Sequence, residues 1–180
     1  IRLSLVGSEM CIRDRLNILA FANKEHAGTS VADVLQAHYK QYGRNFFSRY
    51  DYEEVESAGA QTMMSELRAK VTDPAFLGST QGSFKVAEAG DFSYTDPIDH
   101  SVSKNQGLYV RMEDGSRIVF RLSGTGSAGA TIRLYVEKYS SMAAEYAADV
   151  QEALRPIIDV ALQLSALQRH TGRKEPSVIS

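Results

Sequence analysis

Apolar positions alternate most regularly between residues 108 and 136. Leu108, Val110 and Met112 occupy every second position up to Asp114-Gly115, and Ile118, Phe120 and Leu122 resume the alternation beyond it. Period two marks a strand with one covered face, and Asp-Gly between two such runs predicts an antiparallel hairpin closed by a type I′ turn. A glycine-rich stretch runs from Ser123 to Ala130, after which Ile132, Leu134 and Val136 alternate in a third strand.

Helical spacing appears on either side of this region. LNILAFA from Leu16 reads as the apolar end of a helix, while residues 1–15, IRLSLVGSEMCIRDR, show no period that continues into it. Ser30 with Asp33 forms a capping-box start, and Val31, Val34, Leu35, His38, Tyr39 and Tyr42 keep one face until Gly43. Asn45 to Tyr52 is aromatic enough for a strand, and Val55, Ala58, Met63, Leu67 and Val71 mark a helix that ends before Asp73-Pro74, with Met63-Met64 as core filling. Glu53 and Glu54 are expected beside that helix start, complementing its dipole. Phe84 to Val86 and Phe92 to Tyr94 are short strand candidates, closed by Asp96-Pro97. Pro156 suits a first helical turn, and Ile157, Ile158, Ala161, Leu164, Ser165 and Gln168 line one face before Arg169, His170 and Gly172. The expected class is α+β: a small antiparallel-rich sheet packed by helices, preceded by a helical remnant.

Composition narrows the functions open to such a chain. At 180 residues, 43% apolar and 23% charged, it holds one good core. Twenty Lys and Arg against 22 Asp and Glu leave a net charge of −2, so no general cationic field draws nucleic acid or anionic lipid, and any anion is bound locally. The longest apolar run falls far short of the roughly 18 residues that suggest a membrane span. A lone Cys11 excludes an internal disulfide framework and a Cys-based zinc site, in keeping with a reducing cytosol.

Glycines 124, 126 and 129 meet the GxGxxG spacing of dinucleotide loops, yet that motif opens a helix, whereas here the residues after Gly129 alternate as a strand. A nucleoside-triphosphate loop would need Gly-Lys followed by Ser or Thr. Parity suggests another use. With Ile118, Phe120 and Leu122 inward, Arg121 and Ser123 face outward, and Arg133 opposes the inward Ile132 and Leu134, so both arginines can leave one face. Between them lie turn glycines with exposed amides and the hydroxyls of Ser123, Thr125 and Ser127. Amide nests and arginine forks suit a phosphate monoester. On spacing alone, an ordinary hairpin loop with two solvated arginines fits equally well.

The string Arg121 to Tyr135, RLSGTGSAGATIRLY, closely resembles the phosphate-binding loop in the C-terminal domain of phosphoglucomutases, within the alpha-D-phosphohexomutase superfamily. YGRNFFSRYDYEEVE from Tyr42, SKNQGLYV from Ser103, DGSRIVFR from Asp114 and LQRHTGRKEPSVIS from Leu167 resemble that family in the same order, so the resemblance covers residues 16–180. A Gly-Thr-Gly-Ser-Ala-Gly loop, in place of Gly-Thr-Glu-Pro, favours the glucose-specific branch.

The resemblance implies that Arg121, Ser123, Gly124, Thr125 and Arg133 hold the non-transferring phosphate of the sugar. It implies an isomerase that passes a phosphoryl group between an enzyme serine and glucose 1-phosphate or glucose 6-phosphate, through glucose 1,6-bisphosphate, with magnesium. The serine loop, the Asp-rich magnesium loop and the sugar-binding loop do not occur in this sequence. No catalytic, cofactor or metal residue is therefore expected here, and the chain alone is expected to be inactive, its partners being the missing N-terminal domains of a cytoplasmic enzyme. The alternative is a stand-alone, non-catalytic phosphate or phosphosugar module. On the family reading residues 16–42 close the third domain, and residues 43–180 form the fourth, resembling the TATA-binding-protein fold. Residues 1–15, whose SEMCIRDR resembles a translated sequencing adapter, form a non-native leader.

Asp96, Asp99 and His100 could be taken for metal ligands, but Asp-Pro is a turn former and no fourth ligand is evident. His26, His38 and His170 lack partners at a telling spacing, which favours helical or surface roles.

Overall fold

The structure is a computed structural model that describes residues 3–126 and 129–180, with side chains described for 11–124 and 129–180. The chain divides into two compact units, residues 1–44 with 141–146, and residues 45–140 with 147–180.

The first unit is helical. Helix α1, Leu3–Glu25, runs unbroken through the segment that shows no period; Ile12, Leu16, Ile18 and Phe21 are all exposed on it. None of the described α1 side chains, from Cys11 to Glu25, is buried, so they offer no amphipathic pattern to read. Asn23 joins α1 to α2, Val31–Tyr42: its amide donates to the carbonyls of Leu19 and Thr29, and its side-chain oxygen accepts from Gly28 N at 2.8 Å. The capping box forms as expected, with Asp33 N donating to Ser30 Oγ at 3.2 Å and Ser30 N to Asp33 Oδ2 at 2.8 Å. Those bonds to Ser30 hold the Asp33 carboxyl below its ordinary value. Arg44 lies 5.4 Å from the ring centre of Tyr39 and donates to the Tyr146 carbonyl.

The second unit is a seven-stranded sheet and its helices. In chain order these are β1, Arg44–Val55; α3, Ser57–Val71; β2, Thr80–Gln81; β3, Phe84–Asp91; β4, Tyr94–Thr95; β5, Val102–Ser103; β6, Leu108–Met112; β7, Arg117–Gly126; β8, Gly129–Ser140; α4, Val150–Ser165; α5, Leu167–Thr171; and β9, Val178–Ile179. The large sheet runs β2-β3-β6-β7-β8-β1-β9, while β4 and β5 pair apart from it. Antiparallel pairing joins β3 to β6, β6 to β7 and β7 to β8. This is the expected α+β class.

One face of the sheet makes the core. Leu108, Val110, Met112, Ile118, Phe120, Ile132, Leu134 and Val136 are buried, as their alternation requires. Against them lie Met63, Met64 and Leu67 of α3 and Leu154, Ile157 and Ala161 of α4. The hairpin register sets Val110 opposite Ile118 and Leu108 opposite Phe120.

Several local expectations are corrected. The β6–β7 turn is not type I′, which needs positive φ at both central residues: Gly115 alone has it, at 87°, while Asp114 accepts from Ser116 N at 2.9 Å, and this acceptor draws the loop into a glycine bulge. Glu53 and Glu54 belong to β1 and not to a helix start, because the strand pairs through Asp51 with β9 and ends only at Val55. On α3 the covered face is Ala60, Met63, Met64, Leu67 and Val71, with Ala58 exposed. Strand β3 carries on to Asp91, so Phe92 lies past its end and Tyr94 pairs with Ser103. Pro156 lies in the second turn of α4, not the first, since Asp149 caps the helix by accepting from Gln151 N and Glu152 N. Glu152 and Pro156 are both exposed, so water can serve the carbonyl that the proline leaves without a helical donor. Ala166, at φ 47°, breaks the final helix into α4 and α5. Among the described residues no helix is long and apolar enough to cross a membrane.

Candidate functional site

The open face of the sheet carries the residues left over by the core alternation. In β7 and β8, Arg121 is the direct cross-strand partner of Arg133, and Ser123 that of Thr131. Two arginines therefore leave the same face side by side, as their parity predicts. Like charges directly opposite one another cost stability unless a counter-charge offsets them, as Glu88 and Glu137 do for the opposed Arg111 and Arg117. Arg121 is exposed, and among the described residues its guanidinium makes no hydrogen bond or ion pair.

The glycine-rich segment is more strand-like than its composition suggests. Pairing continues through Ser123 to a last pair, Gly126 with Gly129, and the register shifts between Ser123 and Gly126. Gly124, at φ 66°, supplies the left-handed residue such a bulge needs. Gly129, at φ 93°, is required for a second reason: a Cβ there would meet Val55 O at 3.2 Å and Glu54 Cα at 3.3 Å. Glu54 itself sits at φ 53°, so the end of β1 is bent where the hairpin tip passes it. Of the expected phosphate-binding residues, Arg121, Ser123, Gly124 and Arg133 are thus placed on one hairpin. Thr125 lies on the same strand, with its side chain outside the described residues, as is the whole of Ser127.

Strand β1 adds two charged residues that no sequence motif singles out. Phe46, Ser48, Tyr50 and Tyr52 are buried at alternate positions, which turns Phe47, Arg49 and Asp51 to the open face. Burial, and secondarily Tyr50, pushes the Tyr52 hydroxyl above its ordinary range. Asp51 is nonetheless covered, its side chain 5% exposed, because β9 pairs at this position and two arginines approach it. Arg49 Nε lies 3.0 Å from Asp51 Oδ1, and Arg133 Nε lies 3.8 Å from Asp51 Oδ2. The only sequence signal for this cluster is the Arg-x-Asp spacing in a strand, and it says nothing of Arg133 until β1 is known to lie beside β8.

Farther along the same face Arg117 pairs with Glu137 at 2.7 Å and Arg111 with Glu88 at 2.5 Å. Tyr109 donates to Glu88 at 3.0 Å, and that bond above all raises the pKa of its hydroxyl. These charges are satisfied pairwise, unlike Arg121. A cavity of about 470 Å³ opens between Phe47, Arg49, Arg117 and Tyr135.

The other candidates have local roles. Asp96 Oδ1 accepts from Ile98 N at 2.7 Å, and Asp99 Oδ1 from Ser101 N at 2.8 Å, so both carboxylates are occupied in closing a turn that leaves His100 at φ 60°. The bonds to Ser101 lower the pKa of Asp99. His38 stacks on Tyr42 within α2, and His170 Nε2 lies 3.2 Å from Glu66.

Comparison with known proteins places this geometry. Residues 44–177 match the family model described as phosphoglucomutase-1, C-terminal domain. The chain is 50% identical over 169 residues to chloroplastic phosphoglucomutase 1 of Marchantia polymorpha, covering 92% of this chain and 26% of that protein. It is 52% identical over 155 residues to human phosphoglucomutase-1, covering 84% and 28%. The crystal structure of the open form of parafusin, an exocytosis-sensitive phosphoprotein and phosphoglucomutase of Paramecium, superposes with a TM-score of 0.77 at 45% identity, covering 92% of this chain and 28% of that one. The chain thus spans between a quarter and a third of the relatives it matches, and it belongs to the phosphoglucomutase family, whose C-terminal domain it carries.

Proposed function

We propose that the β7–β8 hairpin docks the non-transferring phosphate of a hexose phosphate, in an enzyme that interconverts glucose 1-phosphate and glucose 6-phosphate. The observation that carries this reading is the cross-strand pair Arg121 and Arg133 beside the bulged glycines, with Arg121 free of any partner among the described residues. Two guanidinium forks on one face can grip a tetrahedral dianion from two sides, and the hydroxyl of Ser123 and the backbone amides of the bulge supply further donors. Ser123, Gly124 and Thr125 complete the set we assign to the phosphate.

The hairpin positions and does not react. The magnesium and the glucose 1,6-bisphosphate of the whole enzyme are assigned to its other domains. The chain by itself is expected to be inactive, working with the other domains of a cytoplasmic enzyme; residues 16–42 would close the third of these and residues 43–180 form the fourth.

Magnitudes set the test. Charge-assisted hydrogen bonds contribute about 1.5 to 3 kcal/mol each, while immobilising a ligand costs at least about 4 kcal/mol, which leaves affinity near the millimolar range. NMR titration of the chain with glucose 6-phosphate should move the amides of residues 121–126 with that affinity, and Arg121→Ala should abolish the response. Micromolar binding would instead favour a self-sufficient phosphosugar module, and turnover of glucose 1-phosphate by the chain with added magnesium and bisphosphate would overturn its inactivity.

A further inference from the structure

Asp51 occupies an unusual position for a carboxylate. It is buried on the open face of the sheet, and among the described residues Arg49 and Arg133 are its only ion-pair partners. Arg49 Nε, Asp51 Oδ1 and Arg133 Nε are all buried, yet none makes a hydrogen bond within the described residues. Arg49 comes within 3.0 Å but at a poor angle, and Arg133 stops at 3.8 Å. Buried polar groups are almost always paired, so three orphaned atoms in one cluster call for a functional reason.

The orientation of Arg133 supplies one. Its Nε is the guanidinium atom nearest Asp51 and is sunk out of solvent, while the side chain as a whole is 40% exposed. The exposed part is therefore the outer end, which carries the two terminal nitrogens. An arginine held at Nε presents that fork as a preset two-donor clamp, whereas one held at a terminal nitrogen has spent it. Asp51 thus sits where it can fix Arg133 without competing with an anion for the fork. Arg133 also needs an anchor, because Arg121 stands directly across the strand pair and repels it.

We propose that Asp51 is a positioning residue for phosphate docking: it holds Arg133 through Nε so that the guanidinium fork points at the ligand. This rests on the docking role proposed above. When a phosphate draws on the fork, polarising the guanidinium, Nε–H closes the 3.8 Å separation from Asp51 Oδ2 into a hydrogen bond, in the way that site hydrogen bonds tighten on loading. Arg49 takes the other carboxylate oxygen and balances Asp51, with no contact to the ligand.

The test uses inorganic phosphate with the whole chain, read by amide shifts of residues 121–126 and by the Nε–H signal of Arg133. Asp51→Asn should increase the mobility of the Arg133 Nε–H vector and weaken phosphate binding about three- to tenfold, the worth of one immobilised long side chain. Asp51→Glu, which keeps the charge, should recover affinity to within about twofold, and Arg49→Ala should leave it there as well, a result that a merely structural Arg49–Asp51 pair would not give. If Asp51→Asn fails to fold, the wild-type chain decides: solvent exchange of Arg133 Nε–H should slow about tenfold on saturation with phosphate. An Nε–H signal that is equally ordered in Asp51→Asn, or exchange that phosphate leaves unchanged, overturns the positioning role while docking stands. No amide response in the wild-type chain at tens of millimolar phosphate overturns docking and this inference with it.

Discussion

The two faces of strands β7 and β8 are built from neighbouring residues of the same chain, yet they obey different rules. On the covered face Ile118, Phe120, Ile132 and Leu134 are all buried against α3 and α4, and each meets its partner across the strands in register. On the open face the residues one step away are Arg121, Ser123 and Arg133, where like charges are opposed and a buried nitrogen of Arg133 goes without a hydrogen bond. Local choices that agree with the global fold build stability, and those that disagree mark the places where something else has been selected. The boundary between the two rules is one residue wide.

The largest effect belongs to the covered face. Phe120→Ala, in the middle of β7 and fully buried, should cost about 3 to 5 kcal/mol by removing apolar contact and leaving a cavity between sheet and helices. Urea denaturation of wild type and variant measures it. A cost below about 1 kcal/mol would mean that α3 and α4 do not close over this strand, and the contrast between the faces would fail at its first step.

A smaller effect lies where the faces meet the hairpin tip. Gly129→Ala places a side chain at φ 93° and brings its Cβ to 3.2 Å from the Val55 carbonyl. Backbone strain of this kind costs about 1 to 3 kcal/mol. Because Gly129 belongs to the last described pair of the hairpin, the same change should shift the amides of Ser123 to Gly126 and weaken phosphate binding. Denaturation and titration on one sample separate the two consequences, and loss of stability with unchanged binding would detach the tip from the site.

These contrasts explain what is legible in the amino-acid order. Period-two alternation depends only on nearest neighbours along the chain, so the parity of Arg121 and Arg133 follows from Ile118, Phe120, Ile132 and Leu134 alone, and the structure pairs them directly. The capping box at Ser30 is equally local and forms as its spacing requires. The features that stay hidden depend on distant segments. Asp51 gains its meaning only because β1 inserts between β8 and β9, an order that no periodicity encodes. Glu53 and Glu54 look like a helix start for the same reason: they lie on a strand that runs on to Val55 within a sheet assembled from distant segments. Pro156 misleads differently, since its preference for a first turn is real but Asp149 offers a stronger start seven residues earlier. The glycine string looks like a loop because composition cannot show that glycines at positive φ let a ladder continue through a bulge.

The smallest effect is the one that separates the faces most sharply. Arg121→Ala removes an exposed side chain with no partner among the described residues, so folding loses little contact and sheds a directly opposed like charge. Cross-strand pairs of this type are worth about 0.2 to 1 kcal/mol, so the variant should be as stable as the wild type or more stable by a few tenths of a kcal/mol. It should also be the variant that no longer responds to glucose 6-phosphate. A core residue cannot behave in this way, because there stability and contact fall together. Salt sharpens the test: repulsion between exposed charges is screened as ionic strength rises, so the stability gain of Arg121→Ala should shrink toward zero between low salt and about 1 M. A gain that persists in high salt would trace to backbone propensity, and a loss of more than about 1 kcal/mol would show that Arg121 packs as part of the fold, leaving the open face with no charge free to meet a ligand.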